Sequence, residues 1–216
     1  MRTPELVGPG KADLIRTVLD RAREDINVIM EKDPAPKSKW EVLLYPHIHA
    51  LWTYRAAHWF YRRGKTFTAR ALSMFGRYIS GIEIHPGAEI GRRFFIDHGS
   101  AVVIGETVRI GDDVMLYHQV TLGSVGWWRD QRREPGEARH PTLEDGVIVG
   151  TNASVLGPIT VGAHSVIGAH AVLLKSVPPM SRVSARQNPE AVVIEGNETG
   201  LAAPGDRGRV GKDEPS

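Results

Sequence analysis

The stretch Ile84-His-Pro-Gly-Ala-Glu-Ile90-Gly-Arg-Arg-Phe-Phe-Ile96-Asp-His-Gly-Ser-Ala-Val102-Val-Ile-Gly-Glu-Thr-Val108-Arg-Ile-Gly-Asp-Asp-Val114-Met-Leu-Tyr-His-Gln-Val120 carries an isoleucine or valine at every sixth position without a miss. A second column runs two residues on, through Ile104, Ile110, Leu116 and Leu122. A third resumes as Val149, Val155, Val161, Ile167 and Leu173. A period of six is neither the two of a flat strand nor the 3.6 of a helix. It predicts a mainly β protein, a parallel β-helix of hexapeptide repeats in which each hexad gives one short strand and one turn. Glycines follow column residues at Gly91, Gly105, Gly111, Gly150, Gly162 and Gly168, where a tight turn between faces needs a small residue.

Working outward, the rhythm begins at Gly81, and the spacing predicts repeats over residues 81–190. A bare β-helix end exposes unpaired backbone groups, so a cap is expected. Residues 1–80 supply one as an N-terminal α-helical domain. Apolar spacing predicts a helix over about Lys11 to Lys32, ended by Asp33-Pro-Ala-Pro36. Ser38 with Glu41 reads as a capping box opening a second helix to about Arg63, kinked at Pro46. A third helix, Thr66 to Ile79, would bury Ala69, Leu72, Phe75 and Ile79. The register is expected to break once, between Leu122 and Val149, around a polar insert at 123–145 that carries Trp127-Trp128 and several arginines. Insertions from one face of a repeat array often form the binding surface. Residues 1–10 read as a loose lead-in, and residues 191–216 as a flexible tail.

Bulk composition narrows the function classes. With 41% hydrophobic and 24% charged residues the chain is ordinary for a globular protein. A net charge of +2 gives no basis for nucleic-acid binding. Zero cysteines exclude a disulfide scaffold and a thiol nucleophile, and fit a cytoplasmic setting. No apolar run is long enough for a membrane span, and the start lacks a signal-peptide core.

Asp97-His98 follows directly on the column residue Ile96, which gives a base a rigid seat. Glu83 lies 15 residues earlier, near one coil of separation, so a carboxylate and an imidazole can approach on neighbouring coils. On spacing alone, the reading of His98 as a turn residue with Asp97 as its local partner is favoured over catalysis. His85 before Pro86, and Glu106 after Gly105, have the form of turn residues. Arg139-His140 closes the insert, and a cation beside a histidine suits a carboxylate-bearing substrate. Arg129, Arg132 and Arg133 suit phosphates or a solvated loop equally. Of nine histidines, His85, His98, His118 and His140 are candidates for a metal, but they include no close pair at metal-ligand spacing, so no metal is expected.

Taken together, Gly81 to Gly99, Val103-Ile-Gly-Glu-Thr107, Val120-Thr-Leu-Gly123, Arg139-His-Pro141 and Val177-Pro-Pro179 resemble the serine O-acetyltransferase family. In the helical part Asp33-Pro-Ala35, Leu43-Leu-Tyr45, His49-Ala-Leu51, Tyr54-Arg55 and His58 agree. The resemblance covers about residues 30–185. It implies a left-handed parallel β-helix, assembled as a homotrimer or a dimer of trimers with active sites between subunits. It implies acetyl transfer from acetyl-CoA to the hydroxyl of L-serine, the first step of cysteine biosynthesis. His98 would be the general base and Glu83 its orienting acid, where the family often has Asp. Asp97, Arg139 and His140 would hold the amino acid, and acetyl-CoA would pass Ser124, Thr151 and Ala169.

Three departures from the family pattern stand out. The insert opens as Gly123-Ser-Val-Gly126 before its two tryptophans, which leaves open another small hydroxy-amino acid or another acyl-CoA as substrate. The element after the last coil reads Arg182-Val-Ser-Ala-Arg186. The chain ends Asp213-Glu-Pro-Ser216 where the family docks its partner sulfhydrylase through an isoleucine, which argues against that complex.

Overall fold

The computed structural model describes residues 11–134 and 136–185. The lead-in at 1–10, the tail at 191–216 and the sulfhydrylase-docking end lie outside the described residues.

Among the described residues four helices come first: α1 (Lys11–Lys32), α2 (Lys39–Val42), α3 (Pro46–Tyr61) and α4 (Thr66–Ser80). Ser38 caps α2 by accepting the Glu41 N–H at 3.3 Å, but Glu41 reaches back to the N–H of Lys37 at 2.8 Å, so the predicted capping box is displaced by one residue. Pro46 does not kink a long helix. It opens α3 at a first-turn position, where its missing N–H costs nothing. Asp25 of α1 is buried and receives the Trp52 indole N–H at 2.9 Å and the Arg55 guanidinium, which fastens α1 to α3.

Helix α4 buries Ala69 as expected, but not Phe75 or Ile79. Its buried residues are Ala69, Ser73, Gly76 and Ser80, while Phe75 and Ile79 are exposed. The reason is close approach to α3: a Cβ on Gly76 would stand 2.3 Å from the Thr53 hydroxyl oxygen. Small residues therefore take the interface, and Ser73 donates its hydroxyl to the Ile84 carbonyl at 2.7 Å, joining α4 to the first strand.

Fourteen short strands follow: β1 (Glu83–Ile84), β2 (Glu89–Ile90), β3 (Phe95–Ile96), β4 (Val103–Ile104), β5 (Arg109–Ile110), β6 (Met115–Leu116), β7 (Thr121–Gly123), β8 (Thr142–Leu143), β9 (Ile148–Val149), β10 (Ser154–Leu156), β11 (Thr160–Val161), β12 (Val166–Ile167), β13 (Val172–Leu173) and β14 (Arg182–Val183). A short helix α5 (Trp127–Asp130) interrupts them. Every third strand stacks in parallel as far as β13, and β14 stacks on β12, giving three sheets ordered β1-β4-β7-β10-β13, β2-β5-β8-β11 and β3-β6-β9-β12-β14. The result is a three-sided parallel β-helix. Its core is one continuous column of buried Ile, Val, Leu, Ala and Phe94, closed at the first coil by Leu51 and Tyr54 of α3. The Tyr54 hydroxyl donates to the Ala88 carbonyl at 2.6 Å.

The register breaks in more than the one place expected. Ile84 pairs with Ile104, and Ile96 with Leu116, so the first coil is 20 residues long where the next, Ile104 to Leu122, has 18. Two extra residues sit between Ile96 and Ile104. Each hexad buries two side chains two positions apart, such as Ile82 with Ile84 and Val102 with Ile104. A two-residue insertion therefore hands the sixfold count from one inward position to the other, and the printed column shows no gap. The long insert does not disturb the stack either: Leu122 pairs with Ile104 and Leu143 with Ile110. A third irregularity shortens the last coil, where Val161 bridges to Val177. No helix among the described residues is long and apolar enough to cross a membrane.

Candidate active site

The two extra residues of the first coil create the corner that carries His98. Elsewhere this edge of the prism turns through one left-handed residue per coil: Ala101, Gln119, Asn152 and His170, with φ between 57° and 62°. The first coil adds His98 (φ 59°) and Gly99 (φ 76°) before Ala101. Histidine is among the residues that tolerate this region. The bulge lifts the imidazole off the core, and its side chain is 77% exposed. Asp97 Oδ2 lies 3.9 Å from His98 Nε2, and the His118 ring meets His98 edge to face with centroids 5.8 Å apart.

His98 and Asp97 line a cavity of about 410 Å³ with Ile96 and, from the helical part, Asp33, Ala35, Tyr45, Pro46 and His47. Asp33 and Tyr45 had no role assigned from sequence; the only signal was that both sit in segments carrying the family resemblance. Asp33 Oδ1 accepts the Ala35 N–H at 2.8 Å, fixing the turn that presents it. Burial, then the neighbouring Asp33 carboxylate, pushes the Tyr45 phenol up, so it remains a hydroxyl. His47 is buried with both ring nitrogens unpaired, and burial pushes it down to about 3, so it is neutral.

Glu83 begins β1 on the same edge, where the Ala101 N–H donates to the Gly81 carbonyl at 3.0 Å. Its carboxylate lies 2.9 Å from Arg77 Nη1, and the structure does not hydrogen-bond it to His98.

The other predicted pair is held by a clamp at a different edge, where the chain leaves β4. A Cβ on Gly105 would stand 2.2 Å from the His140 ring, so only glycine leaves room for that imidazole. Glu106 pairs with Arg139 at 2.7 Å and accepts the Tyr61 hydroxyl at 2.9 Å. Burial pushes the Glu106 carboxyl up, but Tyr61, His85 and Arg139 outweigh it and hold it below the ordinary range. The Thr107 hydroxyl oxygen accepts the N–H groups of Arg139 and His140 at 3.0 and 3.1 Å. The Thr107 N–H donates to His140 Nδ1 at 3.1 Å, which places the ring proton on Nε2. Burial, reinforced by Arg139, pushes His140 down to about 4, so it is a neutral donor at pH 7. Glu106 is thus a clamp residue, although its spacing reads as a plain turn. His85 is the turn residue expected: its Nδ1 accepts the Gly87 N–H at 3.0 Å. Gly105→Ala is expected to cost about 1–3 kcal/mol of stability by overpacking against His140. Urea unfolding measures this; a loss near zero would mean that the clamp is loose.

His98 stands between β3 and β4, whereas Arg139 and His140 pack on the turn between β4 and β5. One chain does not bring the two together. The predicted acetyl-CoA contacts divide in the same way. Thr151 and Ala169 each precede a left-handed residue, as Ser100 and His118 do, and share one edge. Along it the Gln119, Asn152 and His170 N–H groups donate to the carbonyls of Ser100, His118 and Thr151 at 2.8–3.0 Å. Ser124 follows β7 at the other edge of the same sheet. In the insert, Trp128 packs over Gly126, Trp127 is exposed, and Arg133 is tied into the loop by Glu137 at 2.7 Å and Asp130 at 3.6 Å. Among the described residues no group of three His, Cys, Asp or Glu side chains is placed to hold a metal ion.

The chain is similar to known proteins in both sequence and fold. Residues 140–175 match the bacterial transferase hexapeptide family (six repeats). The chain is 51% identical to the serine acetyltransferase of Bacillus licheniformis over 162 residues, 74% of this chain and 72% of that one. It is 56% identical to the Helicobacter pylori serine acetyltransferase over 151 residues, 69% of this chain and 84% of that one. Serine acetyltransferase isoform 3 from Entamoeba histolytica, solved with cysteine, superposes with a TM-score of 0.71 at 37% identity; the match covers 79% of this chain and 59% of that one. A serine acetyltransferase solved with CoA gives 0.69 at 33%, over 77% of this chain and 66% of that one. Identity at this level, spread over most of both chains and coinciding with the same three-sheet prism, leaves one assignment: the chain belongs to the serine acetyltransferase family.

Proposed function

We propose that the protein transfers the acetyl group of acetyl-CoA to the hydroxyl of L-serine, giving O-acetyl-L-serine in the first step of cysteine biosynthesis, with His98 as general base. The observation that carries the assignment is an accessible imidazole at the mouth of a cavity that also holds two carboxylates, Asp33 and Asp97. The carboxylates suit the substrate ammonium and leave the hydroxyl to the histidine. The imidazole takes the hydroxyl proton as the oxygen attacks the thioester carbon. Collapse of the tetrahedral intermediate expels the CoA thiolate, which takes that proton back from His98. No covalent acyl-enzyme is needed.

The same reading assigns a left-handed winding and a trimer, alone or doubled, with sites between subunits. Its support is the separation of His98 from Arg139 and His140 on two edges of one prism, so that a neighbouring copy completes the site. There Arg139 and the His140 Nε2–H would meet the substrate carboxylate. Acetyl-CoA would lie in the same groove, between Thr151 and Ala169 of one subunit and Ser124 of the next. Glu83 would orient His98 after releasing Arg77. The reading also sets the boundary between the helical part and the β-helix at Gly81, in a cytoplasmic enzyme.

Release of free CoA thiol from a panel of acyl-CoAs and hydroxy-amino acids tests the assignment. Acetyl-CoA with L-serine should give the highest kcat/KM; another pair running tenfold faster overturns it. That second reading draws on the exposed Trp127 of the insert.

A further inference from the structure

The imidazole nearest His98 belongs to the next coil. His118 precedes the left-handed Gln119, one step along the edge that continues to Thr151 and Ala169. Its ring meets that of His98 at 84°, with centroids 5.8 Å apart. An acyl-CoA laid along this edge with its thioester at His98 has His118 beside its last atoms.

The ring's two nitrogens differ. Nδ1 is buried and has no hydrogen-bond partner among the described residues; Nε2 is not shut in this way. A buried, unpaired N–H is rarer in folded proteins than an under-used acceptor. The proton therefore belongs on Nε2. The ring therefore offers its Nε2–H beside the base, with Nδ1 turned into the protein.

We infer that His118 donates its Nε2–H to the acyl oxygen of the thioester and holds the oxyanion of the tetrahedral intermediate. The inference rests on His98 as base and on the acyl-CoA path along this edge. As the serine oxygen bonds to the carbonyl carbon, its proton passes to His98 and the carbonyl π pair moves onto the acyl oxygen. His118 keeps its proton throughout. When the C–S bond breaks, the oxyanion pair restores the carbonyl and the sulfur recovers the proton from His98. A donor aimed at developing charge in this way is typically worth about 10²–10³ in kcat.

His118→Phe keeps a ring and removes the donor; His118→Gln keeps an N–H. The Phe variant is expected to lose about 10²-fold in kcat with KM for acetyl-CoA and serine within about twofold. The Gln variant should stay within about tenfold of wild type, with the acidic limb of its kcat/KM profile unmoved. A Phe variant with wild-type kcat overturns the donor role. So does a Gln variant whose acidic limb shifts while its plateau holds, since His118 would then tune the base. His98→Asn, run in parallel, separates the two readings. If it turns over normally, the base assignment falls. If it is inactive while His118→Phe is not, only the donor falls.

Discussion

Exchange of His98 for asparagine is expected to lower kcat for acetyl transfer by about 10²–10⁴-fold, the usual contribution of a positioned general base. The substitution isolates that contribution for two reasons found in the corner itself. The His98 side chain is mostly exposed, so few packing contacts are lost. Its backbone has φ 59°, a conformation that asparagine adopts at lower cost than most residues. The thermal midpoint should therefore stay close to wild type and KM for serine should change little, since the hydroxyl's proton acceptor acts in the transition state. Steady-state kinetics with a melting curve on the same preparation give the answer. A loss smaller than tenfold in a fully folded variant would remove His98 from the mechanism.

Acid should weaken the fold, and His47 should be a principal cause. Burial lowers its pKa from 6.5 to about 3 in the folded protein. Unfolded, it titrates near 6.5. At pH 7 both states are neutral there and the shift contributes nothing to the pH dependence. As pH falls below about 6.5 the unfolded chain binds a proton that the folded chain refuses, so stability drops until about pH 3. The limiting slope from one such group is about 1.4 kcal/mol per pH unit. His140, lowered to about 4, acts in the same direction over a narrower window. His47→Leu should flatten the dependence of the unfolding free energy on pH between 6 and 4. It should also raise stability at pH 7 by about 1–3 kcal/mol, because two buried ring nitrogens without partners are removed. Denaturant titrations across that pH range test both parts. An unchanged slope in the variant would assign the acid sensitivity elsewhere.

Much of the prism was legible because its core obeys a count. Any chain with Ile, Val or Leu recurring by six over so many turns has few other ways to bury them. The count also hid something. The slip between Ile96 and Ile104 preserves the period, so the corner that matters most for chemistry left no gap in the column. On α4 the pattern places Ala69 inside but fails for Phe75 and Ile79 for a different reason: hydrophobic periodicity assumes that apolar bulk goes inside, whereas the approach of α4 to Thr53 selects Ser73 and Gly76. At the site, Asp97, His98, Arg139 and His140 could be named from the resemblance. The tie from Glu106 to Tyr61, and the Asp33 wall of the cavity, join segments far apart in sequence and follow only from how the helices seat on the first coil.

The two-residue slip has a bearing on how such sites arise. Strands below it keep their partners and their buried side chains, so adding the pair demands no compensating change in the interior. On this scaffold a catalytic corner and a plain structural one differ by two codons, and innovation on the outside is decoupled from upkeep of the inside.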